Sequence, residues 1–303
     1  MDAVLTLIAS PDADLDAQGR LGLLRRALEN LGAETAPADW LSPGRACDIA
    51  FDGLSCDQAD AAARTVLAQT GGPGGIDIIA QPQADRRKRL LVADMESTLI
   101  QQEMLDELAD LVGLRERIAQ ITYRAMNGEI DFKEALRERV GLLAGLPVDA
   151  LEQCYRRVTL MPGAEILTRT LLAHGVRCVL VSGGFRFFTA RVRELLGFHE
   201  DQGNDLEISD GRLSGRAVEP ILDKDAKHAA LIRCAAAQHL PLRLTLAVGD
   251  GANDLPMLLA AGLGVAFRAK PAIAAEAHAR IDHGDLTALL YAQGYRDEEF
   301  VHP

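Results

Sequence analysis

Carboxylates follow two of the apolar runs in this sequence. The run RLLVA leads directly into Asp94 and Glu96. The run RLTLAVG leads into Asp250 and, one helical turn later, Asp254. Crowded carboxylates repel one another and are costly to bury unless a cation neutralises them. Mg²⁺ suits such a group, because it binds one or two carboxylates together with water and phosphate oxygens. The pattern therefore predicts a magnesium site.

A serine and a lysine complete the set of candidate residues. Ser182 closes a third apolar run, VRCVLVS, and Lys227 lies in the segment DKDAKHAAL. Taken alone, Asp94 could be a helix N-cap, Asp250 part of an ordinary turn, and Lys227 a solvated helix charge. Because ligands bind outside the carboxyl ends of parallel strands, the combination of these residues favours one shared site at such an edge.

The spacing of the residues argues against other kinds of site. The segment GDGAND has its glycine at the second position, whereas a calcium-binding EF-hand loop needs glycine at the sixth. Ser182 lacks the G-x-S-x-G frame of a serine hydrolase, and the seven histidines show no metal-ligand spacing.

The first 83 residues predict an α+β unit. Apolar alternation and turn signals give the element order β-α-β-β-α-β, which is the ferredoxin-like arrangement. The predicted strands are residues 3–10, 34–37, 46–53 and 76–82, and the predicted helices are residues 17–32 and 56–69, with a loop at 71–75. The apolar face of the first helix is predicted to contain Leu21, Leu24, Leu28 and Leu31, with Gly32 as its stop.

The rest of the chain predicts a Rossmann-like, doubly wound parallel α/β sheet. Its strands are dense in Val, Leu and Ile, as is typical of strands covered on both faces. The predicted strands are residues 89–93, 176–182, 243–249 and 263–267, and the predicted helices are residues 163–174, 185–197, 225–239 and 252–261. Residues 206–218 predict a hairpin around Asp210-Gly211.

We predict two domains and a helical insertion. The ferredoxin-like domain covers residues 1–83, a polar linker covers 84–89, and the second domain covers 90–303. Helical periodicity over residues 103–160, between the first two strands of the second domain, predicts an inserted helical cap.

Composition limits the partners and the location of the chain. The formal net charge of −12 argues against a nucleic-acid binder, which would concentrate Lys and Arg. Five scattered cysteines without a CxxC pair indicate reduced thiols. The chain shows neither a signal peptide nor an apolar run of the ~18 residues that a membrane helix needs. We therefore expect a cytoplasmic protein without a membrane partner, and the sequence leaves open whether it forms a homodimer.

The motifs resemble those of the haloacid-dehalogenase-like phosphatases. The resemblance rests on D-x-[DE]-S-T at residues 94–98, the strand ending LVSGG, Lys227, and GDGAND at 249–254. Glu103, the segment MNGEIDFKEALRERV and VSGGF resemble the phosphoserine phosphatases of this family. The first 83 residues resemble the ACT-like extension of some bacterial members.

The resemblance implies roles at the phosphate. Asp94 would attack phosphorus and form an aspartyl-phosphate, and Glu96 would act as general acid and then as general base. The phosphoryl oxygens would be held by Ser182, the Gly183 amide and Lys227. The resemblance implies that Mg²⁺ would be held by Asp94, the main-chain carbonyl of Glu96 and Asp250, with Thr98 and Asp254 supporting these ligands.

The resemblance also implies a substrate, O-phospho-L-serine, and the last step of serine biosynthesis. Glu103 would bind its ammonium group, Arg139 its carboxylate, and Asn253 the phosphate or another part of the substrate. Met126 and Phe132 could contact the substrate or belong to the core. The alternatives are another small phosphate, a phosphotransferase reaction, or a catalytically weak amino-acid sensor.

One residue departs from the family pattern. Family members usually carry Asp where this chain has Glu96, which is longer by one methylene. A misplacement of about 1 Å can cost ~10²-fold in rate. We expect the neighbouring backbone to compensate for the added length.

Overall fold

The computed structural model describes residues 1–10, 12–16, 19–70, 75–126 and 129–303. Its strands are β1 Ala3–Ala9, β2 Glu34–Thr35, β3 Asp39–Ser42, β4 Ala46–Asp52, β5 Ile76–Pro82, β6 Leu90–Ala93, β7 Arg177–Phe185, β8 Glu200–Asn204, β9 Leu206–Ser209, β10 Arg212–Ala217, β11 Thr245–Gly249, β12 Leu263–Phe267 and β13 Ala279–Ile281. Its α-helices are α1 Arg20–Asn30, α2 Cys56–Thr70, α3 Met104–Leu111, α4 Arg115–Met126, α5 Phe132–Gly141, α6 Asp149–Tyr155, α7 Ala164–Ala173, α8 Arg186–Leu196, α9 Lys224–Ala237, α10 Leu255–Ala260, α11 Pro271–Ala274 and α12 Ala288–Ala292. Most of the predicted loop at 71–75 lies outside the described residues.

The N-terminal elements form an antiparallel sheet with the strand order β2-β4-β1-β5, and β3 pairs with β4. Helices α1 and α2 pack together, and their apolar residues share one core with the sheet. Leu21, Leu24 and Leu28 are buried as predicted. Leu31 was predicted on the same face but is 57% exposed, because the helix ends at Asn30 and Leu31 caps it.

The second sheet is fully parallel, with the order β13-β12-β11-β6-β7-β8. Alternate residues of its central strand face two separate cores. Leu91 and Ala93 of β6 pack in one core, whereas Leu90 and Val92 pack in the other. This two-sided burial explains why the strand is apolar without alternation, and it confirms the predicted α/β fold class.

Helices α3 to α6 lie between β6 and β7 in the chain, within the segment predicted to be a helical insertion. Their buried residues, among them Leu108, Leu136 and Leu151, join the core on one side of the parallel sheet. The hairpin β9–β10 follows β8, and its turn residues Asp210 and Gly211 both have positive φ. That geometry is typical of the tight turn predicted for Asp-Gly.

Buried polar groups join the N-terminal sheet to the C-terminal segment. Asp77 of β5 accepts hydrogen bonds from the backbone amides of Asp282, His283 and Gly284. The Gln81 side chain donates to the Ala292 carbonyl at 2.6 Å. The carboxylate of Asp77 is therefore occupied by the backbone, although Asp282 and His283 offer further ligand atoms nearby.

Among the described residues, no helix has the length and apolarity required to cross a lipid bilayer.

Candidate active site

The parallel sheet brings three carboxylates together. Ala93 of β6 lies opposite Val248 of β11, so the residues that follow these strands emerge side by side. The Asp94 amide continues the pairing by donating to the Val248 carbonyl at 3.0 Å. Carboxylate oxygens of Asp94, Asp250 and Asp254 all lie within 4.8 Å of one another. The predicted convergence of these acids is therefore what the structure shows.

Lys227 lies beneath these carboxylates in the first turns of α9. Its Nζ is 2.7 Å from Asp94 Oδ1 and 2.6 Å from Asp254 Oδ1, and its side chain is only 2% exposed. Burial disfavours the ammonium, but the two carboxylates outweigh burial and raise the pKa of Lys227. Lys227 therefore remains charged and holds two of the acids in place.

One ammonium group does not balance the charge of this cluster. Burial raises the pKa of Asp94 to about 8, with Asp254 adding to the effect and Lys227 opposing it. Burial, together with Asp254 and Glu103, raises the pKa of Asp250 to about 6. These carboxylates therefore need more positive charge than Lys227 alone supplies. A hard divalent cation would supply that charge, and this donor set of carboxylate oxygens fits Mg²⁺.

The last residues of β7 contribute polar groups to the site. Ser182 lies in β7, and its Oγ accepts a hydrogen bond from the Gly184 amide at 2.9 Å. The Gly183 carbonyl accepts from the Asn204 side chain at 2.8 Å. These bonds fix the backbone of residues 182–184 beside the carboxylates. Oriented backbone amides at such a position are suited to bind phosphoryl oxygens.

Glu96 is held by the first helix of the insertion. Its Oε1 accepts a hydrogen bond from the Met104 amide at 2.9 Å, at the start of α3. Burial, followed by the charge of Glu103, raises the pKa of Glu96 to about 8, although the Met104 amide acts in the opposite direction. The shift favours the protonated form of Glu96, which a proton donor requires.

Ser97 and Glu103 form a short link at the mouth of the site. The Ser97 hydroxyl donates to Glu103 Oε1 at 2.7 Å, and Ser97 has a φ of +55°. Such left-handed backbone is uncommon outside glycine and is found where the surrounding structure imposes it. The carboxylate of Glu103 is thereby directed toward the same pocket as Glu96.

Arg139 enters the pocket from α5. Its Nε donates to the Ala135 carbonyl at 3.2 Å, and its Nη1 lies 3.4 Å from Thr122 Oγ1. Burial lowers the pKa of Arg139, while Glu96 and other nearby acids act against this shift. The guanidinium is therefore a partly buried cation placed among carboxylates.

These side chains line one pocket of about 230 Å³. The residues that line it are Asp94, Glu96, Glu103, Leu105, Phe132, Leu136, Arg139, Ser182, Gly183, Gly184, Phe185, Asp250, Gly251 and Asn253. Pockets that bind drug-sized ligands typically measure ~300–1,000 Å³, so this pocket is smaller than those. The site therefore suits a small polar molecule.

Several predicted residues lie behind the pocket. Lys227 and Asp254 are buried beneath it, and Thr98 Oγ1 is 3.4 Å from Asp250 Oδ1. Lys227 contacts the two carboxylates, and its contact with phosphoryl oxygens stays a prediction. Phe132 lies at the pocket wall, and the side chain of Met126 is outside the described part of the chain.

The sequence interpretation gave no role to Ser97, Gly184 or the Met104 amide. Ser97 and Gly184 both lie inside quoted motifs, so the motif spacing pointed to their neighbourhood. Their contacts depend on how α3 and the end of β7 pack around Glu96. A sequence motif does not predict that packing.

Comparison with known proteins identifies the family. The family model for haloacid dehalogenase-like hydrolase matches residues 91–259, which is more than half of the chain. A phosphoserine phosphatase from Streptomyces coelicolor is 43% identical over 259 residues, covering 85% of this chain and 62% of the relative. A phosphoserine phosphatase from Archaeoglobus fulgidus is 46% identical over 217 residues, covering 71% of this chain and 63% of the relative. The chain thus spans less than two thirds of the length of these two relatives.

A solved structure extends the similarity over nearly the whole fold. The unliganded structure of a probable phosphoserine phosphatase from Vibrio cholerae has a TM-score of 0.77 and 30% sequence identity, and the match covers 98% of this chain and 88% of that chain. The similarity therefore includes the N-terminal sheet. The chain belongs to the haloacid dehalogenase-like hydrolase family, in which these relatives carry the name phosphoserine phosphatase.

Proposed function

We propose that this chain is a phosphomonoesterase that hydrolyses O-phospho-L-serine to L-serine and phosphate. The observation that carries the proposal is one small pocket lined by both Glu103 and Arg139 together with Asp94 and Ser182. An acid and a guanidinium over a phosphate-binding edge match the ammonium and carboxylate of an amino acid phosphate. The named relatives point to the same substrate.

The proposed chemistry proceeds in two steps at Asp94. A carboxylate oxygen of Asp94 attacks phosphorus, the bond between phosphorus and the serine oxygen breaks, and Glu96 gives its proton to that oxygen. Glu96 then takes a proton from a water molecule, whose oxygen attacks the aspartyl-phosphate and releases phosphate. The high pKa of Glu96, about 8, suits a group that must hold and then recover a proton.

The proposed cofactor is Mg²⁺, held by Asp94, Asp250 and the main-chain carbonyl of Glu96. When bound, it would neutralise charge on the phosphoryl oxygens and on the ligands. Lys227 fixes the orientation of Asp94 and Asp254 from below. Ser182 and the Gly183 amide orient the phosphoryl group, and Asn253 lies at the same wall.

The recognition of the amino acid depends on the helical insertion. Glu103 and Arg139 both belong to it and face the carboxyl edge of the parallel sheet. A substrate without an ammonium or a carboxylate group would leave one of these charges unpaired. We propose that this difference sets the preference for phosphoserine, and that the chain serves serine biosynthesis in the cytoplasm.

The test is phosphate release from a panel of small phosphomonoesters, with Mg²⁺ and with EDTA. We expect phosphoserine to give the highest kcat/KM, and EDTA to abolish turnover. Another phosphomonoester leading the panel would overturn the substrate and keep the reaction class. Release that persists in Asp94→Asn would overturn the reaction mechanism, and the absence of release from every member would leave the amino-acid sensor as the better hypothesis.

A further inference from the structure

We infer that Gly184 is a positioning residue that provides the space for the longer acid, Glu96. This inference rests on the proposed phosphatase function, in which Glu96 is the proton donor.

The space at Gly184 is filled by the Glu96 carboxyl group. A Cβ atom added at Gly184 would lie 2.7 Å from Glu96 Oε2 and 3.0 Å from both Cδ and Oε1. Contacts under 3.0 Å are essentially never made by a real Cβ. Gly184 is not in the left-handed region of φ, so its backbone does not itself require glycine. A side chain at position 184 therefore fits only if the Glu96 carboxyl group moves.

The carboxyl group cannot retreat without losing its other contact. Oε1 accepts the hydrogen bond from the Met104 amide, and a shift of the carboxyl group would disturb this bond. The backbone at Gly184 is fixed as well, since its amide donates to Ser182 Oγ and the preceding carbonyl accepts from Asn204. A methyl group at position 184 would therefore displace the Glu96 carboxyl rather than the strand end.

The consequence for catalysis depends on the leaving group. The leaving group of phosphoserine is the alkoxide of serine unless its oxygen receives the proton of Glu96 as the phosphorus–oxygen bond breaks. Acetyl phosphate is another small phosphate. Its leaving group is acetate, which needs no proton. Asp94 attacks phosphorus in both cases. A displaced Glu96 should therefore slow transfer from phosphoserine and spare transfer from acetyl phosphate.

The experiment compares four full-length enzymes: the natural sequence, Gly184→Ala, Glu96→Asp and the double variant. For Gly184→Ala we expect kcat/KM with phosphoserine to fall by about 10- to 100-fold, and with acetyl phosphate by less than about 3-fold. In the Glu96→Asp background the shorter side chain clears the methyl group. There, the same glycine substitution should change kcat/KM with either substrate by less than about 3-fold.

Gly141→Ala is the matched control. An added Cβ at Gly141 has its nearest contact at 3.9 Å, so this variant should behave like the natural enzyme with both substrates. Unchanged phosphoserine turnover in Gly184→Ala would overturn the inference. So would an equal loss with both substrates, or an equal loss in both backgrounds, because either result would mean that Gly184 supports phosphate binding or the fold. An enzyme of natural sequence that releases phosphate from neither substrate would instead defeat the proposed function.

Discussion

The balance of buried charge is the main feature of the site at the level of residues. Lys227 faces Asp94 and Asp254 in a location that is almost closed to solvent, with Asp250 close by. A carboxylate removed from water is costly unless a cation or hydrogen-bond donors compensate for it. The lysine supplies one positive charge permanently, and the proposed Mg²⁺ supplies the rest when bound.

Removing the lysine should destabilise the folded chain. Lys227→Met leaves two buried carboxylates without their ammonium partner, so we expect the free energy of unfolding in EDTA to fall by about 3 kcal/mol or more. Denaturant unfolding measures this change, and Mg²⁺ should restore part of it by binding the folded state.

Lys133→Met is the control for this prediction, because Lys133 pairs with Asp223 at 2.8 Å on the surface. It should unfold at the same denaturant concentration as the natural sequence. Equal midpoints for the two variants would show that the buried ammonium does not hold the carboxylates.

At this scale the sequence motifs predicted which candidate residues lie together but not their hydrogen-bond partners. Asp94, Ser182 and Asp250 line one pocket because the sheet brings the carboxyl ends of its parallel strands together. The role of Lys227 at the phosphate stays a prediction, and its contacts with two carboxylates were not predicted. A helix position alone does not tell whether a long flexible side chain points to ligand or to protein.

At the level of elements, helix α5 of the insertion carries Arg139 over the sheet edge. We expect Arg139→Ala to raise KM for phosphoserine by about 10-fold or more, since one charged hydrogen-bonding partner of the substrate is lost. KM for glycerol phosphate, which has no carboxylate, should change by less than about 3-fold. Steady-state kinetics with both substrates measures the difference.

Arg137→Ala provides the matched comparison two residues away on the same helix. Its guanidinium is 53% exposed and pairs with Glu219 at 2.6 Å. This variant should leave KM unchanged for both substrates. If Arg139→Ala raised KM equally for both substrates, Arg139 would support the fold and would not select the amino acid.

Within the parallel sheet, the strands that sequence patterns predicted are the ones that are buried on two faces. Strands β6, β7, β11 and β12 were predicted because their apolar runs are continuous. Strand β8 reads EDQGN and β13 has only three residues, so neither carries an apolar pattern. Both lie at the edges of the sheet, where pairing rather than side-chain burial defines the strand.

At the level of the whole molecule, Arg86 joins the N-terminal sheet to the C-terminal helix. Its Nη2 donates to Asp48 Oδ1 at 2.8 Å and to the Tyr291 carbonyl at 3.1 Å, and its Nε donates to the Ala292 carbonyl at 2.8 Å. Arg86 and Asp48 are each only 10% exposed at the side chain. This segment was predicted as a polar linker, and composition alone gave no sign that one of its arginines is buried.

Breaking this contact should destabilise the chain. Arg86→Met leaves Asp48 buried without its cation, so we expect a loss of about 3 kcal/mol in the free energy of unfolding. Arg87→Met is the neighbouring control. Arg87 is 46% exposed and pairs with Glu299 at the surface, so its loss should cost about 1 kcal/mol or less. Similar losses in the two variants would argue against a specific contact at Arg86.

The division into domains at residues 83 and 90 stays a prediction. The two sheets have separate cores over most of their area, but a few residues of the first sheet, such as Ile8 and Ile79, pack in the core of the second. The sequence shows that the pattern of predicted strands and helices changes between the two units. It does not show how much surface they share.

The central claim is that phosphoserine transfers its phosphoryl group to Asp94. Acid quenching during turnover with Mg²⁺, followed by peptide mass spectrometry, tests it most directly, with Asp94→Asn as the control. We predict the added mass of one phosphoryl group on Asp94, removable by hydroxylamine and absent from the variant. Steady turnover with no phosphoryl group on Asp94, or with the group on Ser182, would contradict the account.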